Sequence, residues 1–184
     1  MDDTVARKKF GLMYDQHRRA ILVYCMRRAG KQDALEAMNE TFTIAWRRIA
    51  RAPDPAEALP WLFSKARGVL SNQRRSTRRF ARLISKTGSL AALPDPGPEA
   101  QVVRSQELAE LAQALKRLRP DDQEILRLQL WEELPHAAIG DVLGISENAV
   151  DQRVSRATKR LTAQVKQAPN PAPARRMTRK GGTA

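Results

Sequence analysis

The chain has 184 residues, enough for one or two compact domains, and sets 33 Lys and Arg against 20 Asp and Glu for a formal charge of +13. One cysteine and two histidines exclude an internal disulfide framework and a structural zinc site, and no metal or other cofactor is expected. The longest apolar run, Ala20 to Met26, is too short to span a bilayer, and no basic segment leads into a signal-like core, so a cytoplasmic chain without membrane insertion is expected.

The cationic excess points to a polyanionic partner, nucleic acid first. Ala, Leu, Arg, Gln and Glu dominate while aromatics are 5%, choices that favour helix over sheet. The sequence has no glycine-rich phosphate loop, no G-x-S-x-G and no H-E-x-x-H, and no active site is expected. The predicted fold is all-α: two helical domains joined by a flexible linker, the C-terminal one containing a helix-turn-helix.

In chain order, Phe10, Met13, Tyr14, His17, Ile21, Tyr24 and Cys25 recur at helical steps along one stripe, and Gly30 offers a stop. Leu35, Met38, Phe42, Ala45, Trp46 and Ile49 repeat the pattern on a second helix, whose Glu36, Asn39, Glu40, Thr43 and Arg47 point elsewhere. Pro53, Pro55 and Pro60 interrupt the chain before a third helix begins near Trp61, with Leu62, Phe63, Ala66, Val69 and Leu70 as its apolar stripe. Residues 64–86 hold eight basic side chains (Lys65, Arg67, Arg74, Arg75, Arg78, Arg79, Arg82 and Lys86) and no acid, so positive charge is concentrated there. Trp61 reads equally well as a core plug or a base contact; Phe42, Trp46, His17 and Cys25 read as core.

The stretch Thr87–Gly97, followed by Pro98, reads as a linker. Leu108, Leu111, Ala112, Leu115 and Leu118 then form an amphipathic helix. Asp121 to Glu124 have capping-box spacing, with Asp in the capping role, and open a helix carrying Ile125, Leu128 and Trp131. The tail after Lys166 is rich in Pro, Ala and Arg and reads as disordered, with Arg175–Lys180 adding nonspecific DNA affinity.

The most informative segment is Pro135–Leu161. Pro135 suits a first helical position, Ile139, Val142 and Leu143 make a short apolar face, Gly144 ends that helix and Ser146 caps the next. Gly140 is small where crossing helices would collide. Val150, Val154, Ala157 and Leu161 point inward. Asn148, Asp151, Gln152, Arg153, Ser155, Arg156, Lys159 and Arg160 stay outside, side chains suited to base edges and phosphates. This is the pattern of a helix-turn-helix. Asp151, Gln152 and Ser155 would face bases; Arg153, Arg156 and Lys159 would hold phosphate. His136, at the start of the first of these helices, reads as solvated or phosphate-facing.

Taken together, Asn39–Ile49, Pro60–Arg75, Leu115–Gln129 and Leu143–Leu161 resemble the extracytoplasmic-function (ECF) sigma factors of bacterial RNA polymerase, over roughly residues 8–165. The resemblance implies a region 2-like domain at 1–86, a linker at 87–103, a region 4-like helix-turn-helix domain at 104–166 and a basic tail at 167–184. It implies that Glu36, Asn39, Glu40 and Arg47 face the polymerase clamp. Trp61, Lys65, Arg67, Arg74, Arg75, Arg78 and Arg79 would serve the −10 element. Asn148, Asp151, Gln152, Arg153, Ser155, Arg156 and Lys159 would serve the −35 element. The implied partners are RNA polymerase core, promoter DNA and an anti-sigma factor. Three departures stand out: Leu35-Glu36-Ala37-Met38-Asn39 before the E-T-F motif, Gly68 where Asn is frequent, and Ala137-Ala138-Ile139-Gly140 for the usual E-x-I-A. Two other readings are a helix-turn-helix DNA-binding regulator acting without polymerase and a polymerase-binding adaptor or decoy.

Overall fold

The computed structural model describes residues 2–86 and 106–167. The expected linker and, beyond Gln167, the expected tail lie outside the described residues. Among the described residues there are seven α-helices, two single-turn 3-10 helices and no strand.

The first module consists of α1 (Asp3–Met26), α2 (Lys31–Arg47) and α3 (Leu59–Lys86). Asp3 sits at the positive end of α1 and pairs with Arg7 one turn on, at 2.8 Å. The expected stripe of α1 is found: Met13, His17, Ile21, Tyr24 and Cys25 are buried, with Phe10 and Tyr14 packed beside them. Gly30 is not its stop. The helix ends at Met26, and Gly30, at φ −62, lies in an ordinary extended conformation and caps α2 instead.

In α2 the buried line is Ala34, Ala37, Thr41, Phe42 and Ala45, one step round from the stripe of bulky residues expected. Small side chains let α2 approach α1 and α3 closely, while Leu35 and Met38 flank the seam half-buried. The Thr41 hydroxyl donates to the Ala37 carbonyl at 2.6 Å, which makes its burial tolerable. Phe42 is core as expected and lies 4.8 Å edge-on to Tyr14, but Trp46 is 39% exposed, touching Phe10 with one edge at 5.3 Å. Ile49 is buried from the 3-10 turn Ile49–Arg51 rather than from α2.

Two bonds from α1 pin the proline-rich connection: Lys9 donates to the Ala52 carbonyl and His17 to the Pro55 carbonyl, both at 2.6 Å. Leu62, Phe63, Ala66, Val69 and Leu70 of α3 are buried as expected, Phe63 against the Tyr24 ring at 4.8 Å.

The second module consists of α4 (Gln106–Arg117), α5 (Pro120–Leu130), α6 (His136–Leu143) and α7 (Glu147–Gln167). Leu115 and Leu118 are buried, but Leu111 is 39% exposed and Ala114 takes the inward position; the side chain of Leu108 lies outside the described residues. The capping box is not formed. Pro120 occupies the first turn of α5, where its missing N–H costs nothing, and Arg119 is the flanking residue. Gln123 instead ties down the end of α4, donating to the carbonyls of Lys116 and Leu118 at 3.1 and 2.9 Å. Ile125, Leu126 and Leu128 are buried, whereas Trp131 is 40% exposed with the guanidinium groups of Arg27 and Arg127 at 5.7 and 5.6 Å from its ring.

The turn between α6 and α7 forms as the sequence requires, with Pro135 one position before the first helical residue. Gly144 has φ 69, the left-handed conformation that ends the helix, and its N–H bonds the Gly140 carbonyl at 2.7 Å. A Cβ on Gly140 would stand 2.7 Å from the Ile145 carbonyl oxygen, so this crossing needs glycine. The Ser146 hydroxyl accepts from the Ala149 N–H at 3.3 Å. Val150, Val154, Ala157 and Leu161 all point inward.

The two modules touch, with α6 packed on α3. At the seam the Arg28 side chain, 2% exposed, reaches Glu124 at 3.0 Å and Glu132 at 2.9 Å, and its guanidinium lies 3.5 Å from the Tyr24 ring centre. The Tyr24 hydroxyl donates to Glu124 at 2.9 Å, and Arg27 donates to Glu132 and to the Trp131 carbonyl, each at 3.0 Å. Arg74 reaches across from α3 to the Arg28 carbonyl at 2.7 Å. Burial opposes the charge on Arg28, but Tyr24, Glu124 and Glu132 outweigh it and hold the guanidinium above its ordinary pKa. Burial likewise raises Glu124, yet Arg28, the Tyr24 hydroxyl and Arg127 bring its carboxyl below the usual value.

Candidate nucleic-acid interface

Every residue expected on the outer face of α7 lies there: Asn148, Asp151, Gln152, Arg153, Ser155, Arg156 and Lys159 are exposed, opposite the buried valine-alanine-leucine line. The helix is held at its start by the Gly144 turn and along its length by α4, α5 and α6, so these side chains stand on a rigid support. Arg156 bonds back to the Gln152 carbonyl at 3.1 Å, which orients its guanidinium along the helix.

Asp151 is not a free acceptor. It is bonded to His136 Nδ1 of α6, while His136 Nε2 meets the Gln129 amide of α5 at 3.3 Å. A Nδ1–H donating to the carboxylate and a Nε2 accepting from the amide satisfy both contacts. His136, expected to be solvated or phosphate-facing, is half-buried and serves as a brace between three helices. Nothing in the spacing of the sequence joins positions 129, 136 and 151; only the folded turn does.

A cleft of about 520 Å³ opens between the start of α5 and the outer face of α7, lined by Arg119, Pro120, Asp121, Asp122, Arg153, Arg156 and Arg160. Asp122 pairs with Arg160. Arg119, Arg153 and Arg156 give this cleft positive charge, which Asp121 offsets in part. Arg119 was not apparent as a site residue from the sequence, because it precedes a proline in a segment of mixed charge.

On α3, Arg67, Arg75, Arg78 and Arg79 are exposed, and Arg75 is steadied by Asn72 at 2.8 Å. Arg74, expected in the same set, uses one guanidinium nitrogen on the Arg28 carbonyl and so is partly committed to the seam. Trp61 is half-buried against the core with the Lys65 ammonium 5.0 Å from its ring; burial, and then Arg48, lowers the pKa of Lys65. Both readings of Trp61 thus keep a structural basis. Phe80 is 57% exposed between Arg79 and Arg82, an aromatic that the apolar-stripe pattern did not single out. A Cβ on Gly68 meets nothing within 4 Å.

On α2, Glu36, Asn39, Glu40 and Arg47 are exposed, with Glu36 accepting from Gln32 at 2.9 Å. They share the outer side of the first module, away from the Ala34–Ala45 seam. Cys25 is buried, and that burial pushes its thiol up to about 12, the state of an inert packing residue. Among the described residues no helix is long and apolar enough to cross a membrane.

The family descriptions Sigma-70 region 2 and Sigma-70 region 4 match residues 13–80 and 108–161. The chain is similar to the RNA polymerase sigma factor NccH of Alcaligenes xylosoxydans xylosoxydans, 30% identical over 179 residues that cover 89% of this chain and 94% of the relative. It is also similar to the ECF RNA polymerase sigma factor SigL of Mycobacterium tuberculosis, 28% identical over 83% of this chain and 87% of the relative. In fold it is similar to the sigma factor RpoE of Bartonella quintana, solved in complex with the anti-sigma factor NepR: TM-score 0.63, 22% identity, 88% of this chain and 99% of that one. A stand-alone DNA-binding regulator is not favoured, since it leaves the region 2 match at 13–80 without a task.

Proposed function

The chain belongs to the RNA polymerase sigma factors, in their ECF group, and confers promoter recognition on the polymerase; from that premise we propose how its residues divide the work. Residues 1–86 grip polymerase core through Glu36, Asn39, Glu40 and Arg47 and serve the −10 element through Trp61, Lys65, Arg67, Arg74, Arg75, Arg78 and Arg79. The arginines neutralise phosphates, releasing counterions and making affinity salt-dependent, while Trp61 offers a face on which an unpaired base stacks. Residues 104–166 read the −35 element. Arg153, Arg156 and Lys159 hold the backbone, and Asn148, Asp151, Gln152 and Ser155 address base edges. Residues 87–103 tether the two, and 167–184 add nonspecific affinity.

Sigma factors are non-catalytic initiation factors. In this reading the chain carries no active site of its own and works in the cytoplasm; the polymerase performs the phosphodiester chemistry. An anti-sigma factor is the proposed regulator, in line with the partner in the Bartonella quintana complex. The single observation that carries the residue assignments is the pair of exposed cationic faces on α3 and α7 of one chain. Run-off transcription with purified core on a promoter library tests them. Template-specific transcripts that need both faces are expected; a chain that binds core but initiates on no template would be a decoy instead.

A further inference from the structure

We propose that Asp151 reads a cytosine in the −35 element, and that His136, itself set by Gln129, is the positioning residue that aims it. The proposal rests on the sigma-factor reading above and deepens it at one base pair. Asn148, Asp151, Gln152 and Ser155 share the outer face of α7 at helical steps of three and four, so Asp151 stands within the row assigned to base edges. It is the one acid of the four, and an acid is a costly choice beside phosphates, which repel it. An ionised carboxylate only accepts hydrogen bonds. In the major groove guanine and thymine present acceptors, and the adenine amino group has the N7 acceptor beside it; cytosine offers its 4-amino group alone. A carboxylate aimed at the groove therefore selects cytosine and disfavours the other three bases.

The geometry supplies what such a contact needs, a carboxylate held in one orientation. Asp151 Oδ1 is bonded to Nδ1 of His136, the first residue of α6. His136 Nε2 meets the Gln129 amide at 3.3 Å, and with the amide donating there, Gln129 fixes which ring nitrogen carries the proton. One oxygen of Asp151 is thus engaged. Its Oδ2 has no partner among the described residues, and the side chain remains 54% exposed, against 31% for His136. The left-handed turn at Gly144 and the close crossing at Gly140 set α6 against α7, and with it the reach from position 136 to position 151. A polar pair this exposed adds little to stability, so orientation is what it contributes.

The test selects bound sites from duplexes with a randomised −35 box, using the full chain with polymerase core. Wild type should enrich cytosine at one position by about tenfold. Asp151→Ala and His136→Ala should each erase that one preference, and the double variant should lose no more of it than either single change. His136→Asn returns an N–H near the place of Nδ1 and should restore the preference. His136→Phe keeps the bulk of the ring without the N–H and should not. One measurement needs no change to the brace: that cytosine is replaced by a pyrimidinone lacking the 4-amino group. The affinity ratio between the two duplexes should be about tenfold larger for wild type than for Asp151→Ala. Equal ratios overturn the proposal, as does a His136→Phe chain that keeps the cytosine preference or a His136→Asn chain that behaves like His136→Ala. Preferences that survive every one of these changes would remove the contact between Asp151 and cytosine and leave the sigma-factor reading standing; no preference at any position of the box would remove the −35 reading beneath it.

Discussion

Arg28 and Glu124, 96 positions apart, meet at 3.0 Å with the arginine side chain 2% exposed. The Glu124 carboxyl is held below its ordinary value of 4.5 although burial alone would raise it. A depressed carboxyl stabilises the closed seam above its unfolded pKa, and that contribution is lost as pH falls through the folded value. Acidification below about 4.5 should therefore separate the modules. Fluorescence of Trp131, followed from pH 6 downward, checks this. In Glu124→Gln the acid-dependent step should shrink; an identical step would place its origin elsewhere.

Gly140→Ala should destabilise the second module by about 1–3 kcal/mol, because the added methyl lies 2.7 Å from the backbone carbonyl of Ile145 and no flexible side chain can yield. Urea unfolding measures the loss. Duplex binding to the −35 element should fall with it, since the α6–α7 crossing angle sets where the outer face of α7 points.

Gly68→Ala is expected to act in the opposite direction. The position is exposed, mid-helix and open around the missing Cβ, so the substitution should stabilise α3 by about 0.5–1 kcal/mol through backbone entropy alone. A rise in thermal midpoint at unchanged affinity for core is the expected readout.

Arg156→Ala should weaken binding to all −35 sequences alike and reduce the salt slope, whereas Gln152→Ala should change preference at particular bases. His136→Ala should resemble Gln152→Ala more than Arg156→Ala, because His136 touches Asp151 and Gln129 rather than the outer cations. Binding to a randomised −35 duplex library, at two salt concentrations, separates the classes.

Much of this architecture was legible because apolar periodicity reports burial directly. The stripes of α1, α3 and α7 fall where the spacing put them, and Gly144 and Ser146 act as turn and cap for reasons local to their neighbours. Where the reading failed, a competing local choice won. Pro120 displaced the Asp121 cap, and small residues rather than bulky ones lined the α2 seam. The outer cations of α3 and α7 were visible as charge patterning. The Arg28 cluster was not: the spacing casts Glu124 as part of a capping box and gives Glu132 no partner, and only the meeting of two modules buries both against Arg28.

Arg74 closes the carbonyl end of α1 from a helix nearly fifty residues downstream, and this changes how any scan of the α3 arginines will behave. Neighbouring arginines removed one at a time should give graded, salt-sensitive defects. Arg74 should stand out from that series, its removal slackening the first module's own architecture while also subtracting a charge, so that a defect at this position persists in low salt where its neighbours are rescued.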